Sequence, residues 1–256
     1  YTFKRIKQLQ QVAALHFEEM FSAFTNNSIL FAKNELDQFL YPNISINPFR
    51  SVVEKEVVVV VRGPKYLKDV LAVLPAIKEK GLPIIAVDGA ADGLLRLNII
   101  PDFIIGDMDS VSEKTLRCGA TLIAHCYLNG ESPGFERVKQ LGLPCEKIPF
   151  VGTSEDVALI FSYWAKVKTI FLIGGHTSMV DFLEKGRKGM GATILTRMQA
   201  GHKIVDLRGV HQIVHPKQRP SSLAWLPLTG TVIFLVTSNK FQLFMAIMWN
   251  WLKMGG

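Results

Sequence analysis

Three cysteines in 256 residues are too few, and odd in number, for a disulfide scaffold. No internal period recurs, which sets aside repeat architectures. No signal peptide is expected either: Lys4, Arg5 and Lys7 lead into an amphipathic stretch rather than an apolar run. Nor is there the basic stripe that a nucleic-acid binder carries on its folded part. The net charge is +7, yet residues 51–202 hold eighteen basic and seventeen acidic side chains. Residues 203–256 hold six basic and one acidic, which points to a membrane surface before it points to nucleic acid. What is present is an apolar fraction of 48%, enough to bury a core and to exclude disorder. The length suits one large domain, or one domain with appendages. The chain opens on Tyr1 rather than Met, so a further segment upstream is expected.

Ile6, Leu9, Ala13, Phe17, Met20, Phe21 and Phe24 recur at helical spacing. Asn26-Asn27-Ser28 predicts a break, followed by a second helix over Ser28–Leu40, and Pro42–Pro48 reads as a linker. From Ser51 short apolar runs alternate with amphipathic helices. Strands are predicted at Glu56–Val61, Ile84–Val87, Phe103–Ile105, Thr121–Ala124, Lys147–Phe150 and Thr169–Ile173. Helices are predicted at Tyr66–Lys80, Ala91–Leu97, Val111–Cys118, Ser132–Leu141 and Thr153–Lys166. Five consecutive valines, Val57–Val61, lack polar alternation and suit a strand covered on both faces. The fold class that follows is α/β: three layers around a mostly parallel sheet, with N-terminal helices and a C-terminal hydrophobic anchor. The predicted division is a lead-in over 1–50, the α/β domain over 51–212 and an anchor over 213–256.

The anchor rests on two uncharged runs. Ser221–Thr237 is borderline in length for a bilayer span and is interrupted by Pro227 and Gly230; a buried helical hairpin is the alternative. Phe241–Leu252 is too short to span, and Trp249 and Trp251 suit the interface. Arg208, Lys217 and Arg219 precede the first run and would keep the domain on the cytoplasmic face of the membrane. The sparse Cys118, Cys126 and Cys145 agree with a reducing compartment.

Chemistry concentrates where predicted strands end. Gly106-Asp107-Met108-Asp109-Ser110 sets two carboxylates one residue apart, a pattern that can share Mg²⁺ with substrate phosphates. The alternative is an ordinary loop, with Asp109 or Ser110 capping a helix. Asp88-Gly89 follows a second strand, and Arg62-Gly63 follows the first, where an Arg could take a phosphate bidentately. Thr153-Ser154-Glu155-Asp156 could be only a capping run, and Gly174-Gly175-His176-Thr177 only a tight turn. Together these turns would form an acidic, phosphate-accepting rim. The candidate ligand contacts are Arg62, Gly63, Asp88, Gly89, Gly106, Ser110, Thr153, Gly175 and Thr177, with Asp107 and Asp109 as metal ligands. His125 and His176 read more simply as structural histidines, and Arg187-Lys188 as a solvated helix face.

Asp88-Gly89-Ala90-Ala91-Asp92, Ile100-Pro101-Asp102 and Gly106-Asp107-Met108-Asp109-Ser110 resemble the catalytic domain of thiamine pyrophosphokinase. Gly152-Thr153-Ser154-Glu155-Asp156-Val157 and Phe182-Leu183-Glu184-Lys185-Gly186-Arg187 carry the resemblance further, toward the SteA-like cytokinetic ring proteins of bacteria. It covers about residues 51–212. It implies ATP or another nucleotide and Mg²⁺ as cofactors, with Asp107, Asp109 and Asp156 catalytic if the protein is active, Asp88 joining Asp107 and Asp109 as a metal ligand, and Asp181 among the ligand contacts. The kinases' Arg-x-Asp-His motif is replaced by Met179-Val180-Asp181-Phe182, leaving Arg187 or Lys188 as the substitutes at hand. Two expectations follow from the resemblance. One is a membrane-tethered SteA-like division protein binding a nucleotide or phosphorylated ligand, with a division partner or a second copy of itself. The other is an active thiamine diphosphokinase.

Overall fold

A computed structural model describes residues 3–42, 47–214 and 238–254. They fall into two compact units, 1–215 and 216–256. The first unit is built on seven strands: β1 (Glu56–Val60), β2 (Ile84–Val87), β3 (Phe103–Gly106), β4 (Thr121–Cys126), β5 (Cys145–Pro149), β6 (Thr169–Ile173) and β7 (Ile204–Asp206). Their order is β5-β4-β3-β2-β1-β6-β7, and every pairing is parallel. The sheet is therefore wholly rather than mostly parallel. β7, which the sequence pattern did not reveal, is a three-residue edge strand with two exposed residues.

The valine run divides its side chains between two faces. Val57, Val59 and Val61 enter one core with Ile85, Val87 and Ile105, while Val58 and Val60 enter the other with Ala86 and Ile104. These valines are at most 4% exposed, and burying each contributes about 1.5–3 kcal/mol. The second face is covered by α2 (Tyr66–Lys80), α3 (Ala90–Arg96), α4 (Glu113–Leu116) and α5 (Pro133–Gln140). The first is covered by α6 (Ser154–Trp164), α8 (Gly191–Ala200) and a 3-10 turn at Asn47–Val52, whose Phe49 is fully buried. A short helix α7 (Met179–Leu183) follows β6.

The predicted break in the lead-in does not occur: α1 runs from Phe3 to Leu40 as one helix. Asn and Ser disfavour helix interiors because they compete for the backbone. Here tertiary partners occupy them. The Ser28 hydroxyl donates to the Phe24 carbonyl (2.7 Å) and accepts the Met190 amide (3.0 Å). The Asn27 side chain donates to the Lys188 carbonyl at 3.1 Å. Lower down, Phe39 of α1 joins the core of the first face.

In the second unit, α9 (Asn239–Met254) is a 16-residue helix with exposed Leu243, Phe244, Ile247, Trp249 and Trp251. Among the described residues no helix is long and apolar enough to cross a membrane. The run Ser221–Thr237, on which the predicted span rests, lies outside them.

Candidate active site at the sheet's carboxyl edge

Strand order runs outward from β1 to β5, then returns across β1 to place β6. That reversal opens a crevice at the strand carboxyl ends, where ligands of parallel sheets bind. A cavity of about 400 Å³ lies there. Its wall brings together Arg62 after β1, Asp88 and Gly89 after β2, Asp107 and Ser110 after β3, Thr153 at the start of α6, and Asp181 of α7. Seven predicted residues thus meet around one space.

Two of the strand ends are strained. Asp88 (φ 47°) and the buried Met108 (φ 64°) adopt left-handed backbone that costs a non-glycine residue about 1–2 kcal/mol. The strain is held in place. Asp88 Oδ1 accepts the Asp107 amide at 2.9 Å, and Asp107 Oδ1 accepts the Asp109 amide at 3.2 Å. Asp92 of α3 accepts the Ser112 and Thr115 hydroxyls, and Arg137 of α5 donates to the Met108 and Val111 carbonyls. Gly106 is needed because any Cβ there would collide with the Asp88 carboxylate. Gly89 leaves room for the Arg62 guanidinium, which would stand 2.8 Å from an added Cβ. Gly63 packs on the Gly174 carbonyl, and a Cβ on Gly175 would press against Leu172 and Glu155. These two glycines shape the rim without lining the cavity.

Burial, and then the neighbouring Asp107 carboxylate, pushes the Asp88 carboxyl up to about 7. Hydrogen bonds from Ser154 and the Asp107 amide, and the Lys185 ammonium, oppose that rise. A dication between Asp88 and Asp107 would relieve the repulsion. Mg²⁺ commonly takes one or two carboxylates and completes its shell with phosphates and water, so this donor pair fits it. Asp109 does not complete a triad. It lines an adjoining cavity of about 390 Å³ with Asp107 and His125, and no group of three or more His, Cys, Asp or Glu poised for a metal occurs among the described residues. The His125 ring is taken up by the Phe150 carbonyl at 2.9 Å.

Two predicted residues do structural duty. Asp156 is buried and closes a capping box on α6: Oδ2 accepts the Thr153 amide (2.9 Å), the Thr153 hydroxyl (2.8 Å) and the Thr193 hydroxyl (3.0 Å). It lines a further cavity with Phe31 and Glu35 of α1, not the one holding Asp88. Asp181 forms the matching box with Ser178 on α7 and receives both Arg208 terminal nitrogens, at 2.8 and 3.3 Å. The same guanidinium reaches the Gly175 carbonyl and the Thr177 hydroxyl.

The residues not predicted for the site are Glu155, His176, Lys185 and, across the loop, Arg208. Lys185 and Arg187 line the same cavity as the carboxylates. Arg187 is in the loop after α7 rather than on a solvated helix face, and it borders all three cavities. Burial pulls the Lys185 ammonium down, while Glu155 and Asp88 favour its charge. The cavity thus combines carboxylates after β2 and β3 with cations after β1 and α7, an arrangement suited to a metal-bound polyphosphate.

Residues 76–182 match the thiamin pyrophosphokinase catalytic domain. That stretch holds Asp88, Asp107, Asp109, Asp156 and Asp181, and the chain is thiamin pyrophosphokinase-like over it. Ninety residues are 33% identical to a 6-hydroxymethyl-7,8-dihydropterin pyrophosphokinase of Methanocaldococcus jannaschii, covering 33% of this chain and 37% of that one. The chain therefore spans little more than a third of the curated relative. Among solved structures, the thiamine pyrophosphokinase of Bacillus subtilis is 22% identical, with TM-score 0.32, over 51% of this chain and 52% of its own. That of Geobacillus thermodenitrificans is 18% identical, with TM-score 0.37, over 59% and 58%.

Proposed function

We propose that this chain binds the polyphosphate of a nucleotide with Mg²⁺ and transfers a pyrophosphoryl group to an alcohol. The observation that carries the reading is the cavity wall: Asp88 and Asp107 line one space with Arg62, Lys185 and Arg187. Bound between the two carboxylates, the cation would neutralise phosphate charge. Arg62 and Arg187 can each take phosphate oxygens in a planar fork, and Lys185 adds a point charge. The absent Arg-x-Asp-His pair is answered in space. Arg187 and Lys185 supply positive charge to the cavity, and Arg208 occupies Asp181. Transfer of this kind asks the protein mainly for positioning and charge stabilisation.

Calorimetry of the full chain with a non-hydrolysable ATP analogue tests the binding. We expect Mg²⁺-dependent binding that weakens at least tenfold when Asp88→Asn and Asp107→Asn are combined; unchanged affinity would remove the metal site. Product analysis with ATP and either thiamine or 6-hydroxymethyl-7,8-dihydropterin then tests transfer. The expected products are AMP and a diphosphorylated alcohol.

A second reading keeps the binding and drops the chemistry: a SteA-like scaffold or sensor of cell division, tethered to the cytoplasmic face of a membrane. Its support is the basic, tryptophan-bearing C-terminal part, where Trp249 and Trp251 are exposed on α9 beside Lys253. Sedimentation of the full chain with anionic vesicles should retain it in the pellet, and a chain ending at residue 214 should stay in the supernatant.

A further inference from the structure

The role of His176 is open. It follows β6, and its ring lines the cavity while only 8% of the residue is exposed. Nδ1 lies 2.8 Å from Glu155 Oε2, and the Glu155 carboxylate also accepts the His176 amide at 3.1 Å. Glu155 is 5% exposed and has Arg197 3.6 Å away on its other side. The second ring nitrogen, Nε2, has no hydrogen-bond partner among the described residues and is not sealed from solvent. Tying the loop after β6 to α6 requires only the His176 amide, which any residue but proline supplies. An imidazole with one nitrogen fixed to a buried carboxylate and the other left open is more than that tie needs. Such a pair sets the ring's orientation and favours a proton on Nδ1, leaving the Nε2 lone pair as acceptor.

We infer that His176 Nε2 accepts the proton of the attacking hydroxyl, with Glu155 as its positioning residue. The inference rests on the transfer reading. As the alcohol oxygen bonds to the β-phosphorus, its proton passes to Nε2. The bond from that phosphorus to the α–β bridging oxygen breaks, and its electron pair departs on the nucleoside monophosphate. Glu155 then faces the imidazolium it has oriented and stabilises it, and the ring returns the proton to water. The charged groups lining the same cavity are Glu155 on α6, Asp88 after β2, Asp107 after β3, Asp181 on α7, Arg62 after β1, and Lys185 and Arg187 after α7, with Arg197 of α8 against Glu155.

The test uses the full chain. Diethyl pyrocarbonate, which acylates unprotonated imidazole, should label His176 in the free protein. Saturation with Mg²⁺ and the ATP analogue should slow that labelling at least tenfold. His176→Gln should hold the analogue's Kd within about twofold and slow AMP release to an alcohol by about 100-fold, the scale of a lost proton acceptor. Glu155→Gln should shift the ring's Nε2 resonance in nitrogen-15 spectra, a tautomer signature that loop attachment alone would leave unmoved. Analogue binding with undiminished labelling overturns the inference, as does AMP release at the wild-type rate in His176→Gln. A wild-type chain that binds the analogue but releases no AMP overturns it too. Failure of the wild-type chain to bind the analogue would instead remove the reading beneath it.

Discussion

Asp156 and Asp181 hold the same position in two capping boxes, and their surroundings drive them in opposite directions. Burial first, and then Glu155, pushes the Asp156 carboxyl up to about 6. A group whose pKa rises on folding contributes stability at low pH that is lost as pH climbs through the folded value. The fall from this residue should lie between about pH 4 and 6, and Asp156→Asn should flatten that part of the Tm-versus-pH curve. For Asp181 burial also acts upward, but Arg208 and the Ser178 and Thr177 amides outweigh it and hold the carboxyl well below the usual range. Its contribution is present at neutral pH and lost on acidification. Arg208→Gln should therefore lower Tm at pH 7 and make the acid limb shallower; an unaltered limb would show the pair to be inert. The second box escaped notice with α7, whereas the first was legible as the local capping run Thr153-Ser154-Glu155-Asp156. Arg208 was not: it lies 27 residues from Asp181, and its charge seemed to belong to a membrane flank.

At the scale of elements, periodicity worked where burial was uniform. Ile84–Val87, Thr169–Ile173 and Tyr66–Lys80 were each legible end to end, since an apolar run in a parallel sheet or a helical stripe is a local signal. It failed where distant partners decide. α1 stays whole through Asn26-Asn27-Ser28 because residues 188 and 190 take the polar side chains. Ser28→Ala leaves the Met190 amide without its acceptor and should cost about 1–3 kcal/mol, read by denaturant unfolding. Gly191→Val probes the same contact from α8, since even a Cβ would meet Phe31 and Ala32 of α1. Crowding of this kind costs about 1–3 kcal/mol, and proteolysis should become faster within α1. β7 and α7 escaped notice because three and five residues are too short to show a period.

For the molecule as a whole, the topology does what no single motif does. β1, β2, β3 and β6 converge at one edge, so turns as distant in sequence as those at Arg62 and His176 share a cavity. The acidic half was legible because its aspartates sit in compact turns. Of the basic half, Arg62 was legible at the end of its strand, whereas Lys185 depends on how the loop after α7 folds back, which no spacing announces. The exit from the sheet has its own arrangement. Just past Arg208, the buried Asp69 of α2 accepts the Gly209 and His211 amides, each at 3.0 Å, and the His211 ring. Traced back from Val214, a pulling force meets that carboxylate before it meets Arg208. Load from anything attached downstream is thus carried into α2 and the sheet, and the loop beside the cavity is mechanically insulated from it.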